Sequence, residues 1–402
     1  MPPPVLARNP LDKDDRRVEP GEPRGRLMRR AAFIYEDALS RHELRQDHPM
    51  KPERLRYTYE LLEAYGAFDG NNSLLVSPRP ATEEELRRLH HSEYVSAVRR
   101  LSLGLSGCDP SRFNFHRQGD NPVYPGMYDA AALSTGASLL AAEMVANREV
   151  DVAFNISGGL HHAAMGHASG FCVFNDPALA IKYLREQGLR VAYVDIDAHH
   201  GDGVQNAFFD DAQVLTVSIH ESGQFLFPGT GFVLESGEGA GKGFSVNLPL
   251  YPYTDDEIYV ETFLDIVPPL LRAFAPDVLV TQLGIDSYHS DPLTHLQVTT
   301  RGYLEAVKEL SRVGVPWLAL GGGGYDLSAV ARSWTLAYGV MLDVEWPDRV
   351  PEGSARELGV GQLRDRAAPE VPAHVRQEAR WFAGESVAAV KEEVFPFHGL
   401  MD

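Results

Sequence analysis

Cysteine is almost missing from this chain, with only Cys108 and Cys172 in 402 residues. Two thiols allow one bridge at most, so a disulfide framework is excluded, and a four-cysteine zinc site is impossible. Long apolar runs are missing as well. No stretch reaches the roughly 18 apolar residues needed to span a bilayer. The opening segment, "MPPPVLARNPLDKDDRRVEPGEPRGRLMRR", lacks the apolar core of a secretory signal. Its Pro, Gly, Arg and Asp content predicts a disordered tail over residues 1–30. Positive charge is also scarce, and the formal net charge is -19. That argues against a nucleic-acid binder, whose footprint is a basic patch or stripe. The acidic surplus would suit a cationic substrate, but it serves solubility first. Cytoplasmic placement follows as the expectation, with no membrane and no direct nucleic-acid partner.

What is present is ordinary globular material, 44% hydrophobic and 23% charged. From Ala31 onward, apolar strand-like runs alternate with helical spacings. "AAFIY", "SLLVSPRPAT", "DVAFNI", "RVAYVDID", "VLTVSIH", "DVLVTQLG" and "VPWLALGG" read as strand-like runs. The later ones are nearly continuous in apolar residues, which predicts a parallel sheet covered on both faces by helices. "TEEELRRLH" reads as a helix capped by Thr82 with Glu85 as its box partner. "DAAALSTGASLLAAEMVAN" is a long apolar helix that must be mostly buried. "NDPALAIKYLREQG" reads as a helix with Asp176 as N-cap and Pro177 at the first helical position. The expected fold class is α/β, a single large domain over residues 31–402 with a central parallel sheet flanked by helices.

Titratable residues gather just beyond the strand ends, where open α/β folds place their sites. "YVDIDAHHGDGVQ" carries three aspartates and two histidines directly after an apolar run. Charges placed there are costly unless a metal, a partner or a substrate compensates them. Asp197 and His199 lie two residues apart, so persisting strand geometry points both side chains to one face. "QLGIDSYHSDP" offers Asp286 in the corresponding position after another strand. Two carboxylates and one imidazole would neutralise a divalent ion and leave a position open for water. An isolated D-x-H pair more often caps a helix, so the reading depends on the other segments. Asp195 and Asp202 remain as acceptors for further histidines. His161 and His162, in the glycine-rich "SGGLHHAAMGHASGFCVFND", need such partners.

With those segments assembled, the chain resembles the zinc-dependent histone deacetylase superfamily. "GGLHHA", "SGFCVFND", "VDIDAHHGDGVQ", "TVSIHESGQFLFPGTG", "QLGIDSYHSDPL" and "ALGGGGYDL" occur in the family's order. The flanking "HPMKPERLRYTYELL" and "DPLTHLQVTTRGY" look most like its bacterial acetoin-utilisation branch. The resemblance implies the arginase/deacetylase fold, with Zn2+ held by Asp197, His199 and Asp286, and Fe2+ as a possible substitute. It implies His161 and His162 as the catalytic pair, oriented by Asp195 and Asp202, and Tyr325 as donor to the substrate carbonyl. It further implies an acyl-lysine tunnel walled by Phe171 and Phe227, with Gly170 at its side and Leu293 at a position that is methionine in some relatives. Asp120, in "GDNP", matches a rim aspartate that binds substrate backbone amides. A structural K+ or Na+ site would use Asp195, Asp197, His199, Ser218 and Ile219. A second would draw on Phe208, Asp211, Val214 and Phe244.

The implied reaction is hydrolysis of an N-acetyl amide, with acetyl-lysine in a protein or peptide as first choice of substrate. Three other readings stay open. One is an arginase-type two-metal enzyme, another an acetylpolyamine amidohydrolase that takes small amines. The third is an acetyl-lysine or carboxylate binding module without turnover.

Overall fold

In this computed structural model, residues 29–41 and 43–401 are described. The expected disordered tail falls almost wholly outside them. Eight parallel strands form one sheet: β1 (Ala31–Ile34), β2 (Ser73–Val76), β3 (Val152–Asn155), β4 (Val191–Asp195), β5 (Val214–Glu221), β6 (Ser245–Leu250), β7 (Val278–Gln282) and β8 (Trp317–Leu320). Their order across the sheet is β2-β1-β3-β8-β7-β4-β5-β6. The chain thus builds outward in both directions from the centre, then returns to insert β7 and β8 between β3 and β4. Ligands bind at such reversals, beyond the carboxyl ends of the strands.

Alternate residues of the inner strands feed two separate apolar cores, as a pleat with a period of two requires. Phe33, Phe154, Val194 and Leu279 pack on one face, under helices that include Asp256–Phe274, Thr300–Ser311 and Leu327–Leu342. Ile34, Ala153, Tyr193 and Val280 pack on the other, under Met127–Ala146 and Asp176–Glu186. Burial on both faces explains why these strands are apolar without alternation. The long apolar helix is buried as expected, and the Thr82–Glu85 capping box forms.

Several elements escaped the sequence reading, β6 and the helices Ser92–Ser102, Asp256–Phe274, Leu327–Leu342 and Ala373–Glu393 among them, and one cap was misplaced. β6 carries Pro249, which a strand tolerates at the sheet edge where this one lies. The helix Asp256–Phe274 has Pro268 and Pro269 inside it, and these mask its periodicity. The cap of the helix Asp176–Glu186 is Asn175, whose side chain accepts the Ala178 N–H, rather than Asp176. Asp176 is the first helical residue, and its carboxylate turns back toward the loop after β3.

Candidate active site

The four central strands β3, β8, β7 and β4 each deliver one part of the site from their carboxyl ends. After β4 and β7, Asp197, His199 and Asp286 converge, with one potential ligand atom from each lying within 4.8 Å of the others. Backbone and amide donors orient both carboxylates. Asp286 accepts the Ala198 N–H on Oδ1 at 2.7 Å, which leaves Oδ2 facing His199 Nδ1 at 2.9 Å. Asp197 takes Gln282 Nε2 and the Gly323 N–H on Oδ2, leaving Oδ1 at 3.2 Å from the same Nδ1. Only glycine fits beside them, since a Cβ at Gly323 would lie 2.0 Å from Asp286 Oδ2. Burial opposes charging of His199, but Asp286 and Asp197 outweigh it and hold the imidazole well above its ordinary value. The pocket therefore demands a cation, either a proton on His199 or a divalent ion among the three groups. A set of two carboxylates and one imidazole fits zinc or iron, and an N/O donor set alone does not choose between them.

After β3, His161 and His162 stand side by side. His161 Nδ1 lies 2.7 Å from Asp195, His162 Nδ1 lies 2.8 Å from Asp202, and the two Nε2 atoms are 3.0 Å apart. A carboxylate only accepts, so each Nδ1 carries its proton and a single proton lies between the Nε2 atoms. One ring is then charged and the other neutral. Burial disfavours charge on both. At His161, Asp195 and Asp197 overcome it and bring the ring up to about 9, whereas at His162 burial, reinforced by the charge on His161, brings it down to about 4.

After β8, the glycine run leads to Tyr325, whose backbone N–H donates to Asp291 at 2.8 Å. Phe171 stands edge-on to Tyr325 at 5.7 Å and Phe227 edge-on to His162 at 5.0 Å, so the two rings flank the site. Gly170 has φ +49° and packs so closely that a Cβ would meet His162 Cδ2 at 2.3 Å. Leu293 is partly buried, its N–H donating to Asp291. Asp120 is exposed, and its carbonyl accepts from His48, whose ring packs edge-on to Phe171 at 4.5 Å. That chain of contacts leads from Tyr325 outward to the rim.

The residues expected at monovalent sites are also near one another. Asp195 and Ser218 are paired across β4 and β5, and Ile219 follows in β5. Around Phe208, Asp211 and Phe244 the carbonyls accept the N–H groups of Asp211, Val214 and Thr216.

Sequence reading missed the residues that hold these groups. Buried Arg54 donates to the carbonyls of Gly322 and Gly324 at 2.7 and 3.1 Å, clamping the glycine run. Gln282 orients Asp197, and Asp291 joins the Leu293 and Tyr325 backbones; burial and the nearby Asp286 push the Asp291 carboxyl upward. Asp291, five residues beyond Asp286 in "DSYHSDP", was the most findable of them.

A cation pocket with two carboxylate-backed imidazoles at its lip is the equipment of a metal-dependent hydrolase. The histone deacetylase domain profile matches residues 48–341, and the chain belongs to the histone deacetylase family, whose members are metal-dependent deacetylases. It is 40% identical to the acetoin utilization protein AcuC of Bacillus subtilis (strain 168) over 332 residues, covering 81% of this chain and 85% of that protein. It is 38% identical to histone deacetylase 1 of Homo sapiens, over 80% of this chain and 67% of that one. The crystal structure of an HDAC homologue from Aquifex aeolicus superposes with a TM-score of 0.79 at 30% identity, covering 89% of this chain and 100% of that one.

Proposed function

We propose that this protein is a zinc-dependent deacetylase that hydrolyses acetyl-lysine in proteins or peptides, releasing acetate and free lysine in the cytoplasm. The carrying observation is the pair of imidazoles 3.0 Å apart, each backed by its own aspartate, beside the three converging ligands. Zinc held by Asp197, His199 and Asp286 would supply Lewis acidity to the acetyl carbonyl and to the attacking water. His162, neutral with Nδ1–H on Asp202, takes the water proton on Nε2 once that lone pair is released from the His161 Nε2–H. His161 holds the proton shared between the rings, and it or His162 delivers a proton to the departing amine. The Tyr325 hydroxyl donates to the developing oxyanion. K+ or Na+ bound near Asp195, Ser218 and Ile219 would stiffen the strand ends behind the histidines.

Substrate class rests on the walls and the rim. An uncharged acetyl-lysine side chain suits the space between Phe171 and Phe227, beside Gly170 and Leu293, whereas free lysine leaves for water. Asp120, exposed at the rim, suits backbone amides on either side of the modified lysine. The measurement is kcat/KM for an acetyl-lysine peptide against acetylspermidine and acetylputrescine. A clear preference for the peptide is expected. Equal or better turnover of the polyamines would replace this reading with the small-amine one. Stoichiometric zinc without hydrolysis of any acetyl amide would leave a binding module.

A further inference from the structure

The misplaced cap leads to a further set of contacts. A helix start needs one acceptor from its capping side chain, and Asn175 Oδ1 supplies it to Ala178 at 2.9 Å. The rest of Asn175 and all of Asp176 go elsewhere. The Asn175 amide donates to the carbonyls of His161 and Ala163 at 3.2 and 2.9 Å. The Asp176 carboxylate accepts the N–H groups of Leu160 at 2.8 Å and Gly159 at 3.0 Å, along with the Ser138 hydroxyl. Consecutive side chains thus grip the histidine segment from both ends, Asp176 before the pair and Asn175 after it.

The grip has no slack. A Cβ at Gly158 would lie 2.5 Å from Asp176 Oδ2, and one at Gly203 would lie 2.6 Å from Asn175 Nδ2. Gly203 directly follows Asp202, the partner of His162, so the same amide abuts both the ring's own loop and the helix start that carries its carboxylate. Both side chains are 0% exposed. Burial pushes the Asp176 carboxyl up to about 6, a penalty that starting a helix in water does not impose.

We propose that Asn175 and Asp176 are positioning residues for the histidine pair, setting both rings against their aspartates and the metal pocket. The inference rests on the reading of His161 and His162 as the proton-transfer groups. Displacement of a reacting group by an ångström is worth about a hundredfold in rate, so loss of the grip should appear in turnover before it appears in binding.

The test uses the full-length, zinc-loaded protein with Asp176→Asn and Asn175→Ser. Serine keeps a capping oxygen but removes the amide. Zinc content, melting temperature, kcat and KM on an acetyl-lysine peptide, and the downfield proton signals of the two imidazole Nδ1–H groups would be measured. Each variant should keep its zinc and a KM within about threefold of wild type, lose roughly 10- to 100-fold in kcat, and shift or broaden both imidazole signals. Ser138→Ala, which loosens only one side of the Asp176 carboxylate, should show the same signature more weakly and stands in if Asp176→Asn does not fold. Wild-type kcat and unchanged imidazole signals in Asn175→Ser, with only a lower melting temperature, would reduce the pair to a structural cap and overturn the proposal. If wild type itself hydrolyses no acetyl amide, the functional reading fails, yet the imidazole spectra still decide the positioning role.

Discussion

Aspartates line both ends of the sheet, and they make similar hydrogen bonds in opposite surroundings. At the amino-terminal end, Asp151 and Asp277 precede β3 and β7 and accept the N–H groups of Arg30 and Arg190, the residues before the neighbouring strands β1 and β4, both at 2.8 Å. Both carboxylates are exposed. At the carboxyl-terminal end, Asp195, Asp197 and Asp286 also accept backbone N–H groups, at 2.7 to 3.1 Å, but are at most 1% exposed. The first set splices strand to strand and lets water solvate its charge. The second set cannot use water, so imidazoles and a metal must do so. Burial, rather than residue type or hydrogen-bonding habit, separates the working acids from the splicing ones.

The sharpest way to break that contrast is Asp286→Asn. Amide Oδ1 keeps the Ala198 hydrogen bond while the charged ligand is lost. Zinc binding should collapse by elemental analysis, and activity should fall by at least about a thousandfold, since metal assistance is worth several kcal/mol. The metal-free variant should nevertheless be as stable as metal-free wild type or more so, because burial and Asp197 already disfavour the Asp286 charge. A marked loss of stability in the metal-free variant would show that the buried acid is structural after all.

His162→Ala should lower kcat by roughly 10²- to 10⁴-fold with near-normal zinc and a small change in KM. Asp202→Asn should be milder, at about 10- to 100-fold, as the ring loses its orienting partner. His161→Ala tests the assignment within the pair. If His162→Ala keeps the acidic limb of the kcat/KM profile and most of the rate while His161→Ala loses both, the base is His161.

A buried titratable group outside the metal pocket extends the comparison. His90 accepts the Asn175 N–H on Nε2 and donates from Nδ1 to Ala164, and burial lowers its pKa from 6.5 to about 4. The fold holds the ring neutral, while the unfolded chain takes up a proton below 6.5. Its contribution is therefore full above pH 6.5 and is lost as the pH falls toward 4, up to roughly 3 kcal/mol. Unfolding free energies of wild type and His90→Asn between pH 7 and about 4.5 should converge. Parallel curves would remove His90 from the account.

How much was legible beforehand follows the same division. Strands buried on both faces wrote themselves as apolar runs, and the acids and imidazoles stood directly after them in "DIDAHH" and "GIDSYH". The parts proposed for Phe171, Phe227 and Asp120 rest on family resemblance alone, since either ring would otherwise pass for core. Arg54, Asn175 and Gln282 were not legible because they act on segments between 12 and 270 residues away, or on backbone atoms that no side-chain motif records. β6 and the helix Asp256–Phe274 were hidden by prolines that only an edge position and a tertiary setting make tolerable.

The smallest effect should come from the amino-terminal acids, and it bears most directly on the contrast. Asp277→Ala removes one hydrogen bond, the one from the Arg190 N–H, at an exposed position. Water replaces the lost acceptor, so stability should fall by about 0.5–1.5 kcal/mol. β4, which begins at Val191, also ends at Asp195, so any mechanical link between the two ends of the sheet would run along this strand. Its interior is paired on both sides with β5 and β7, which should stop a disturbance at Arg190 from reaching Asp195. Zinc content, kcat and KM should therefore match wild type. A change in kcat beyond about threefold, which corresponds to more than half a kcal/mol, would mean that the splicing acids help to set the site and that the two ends are not independent.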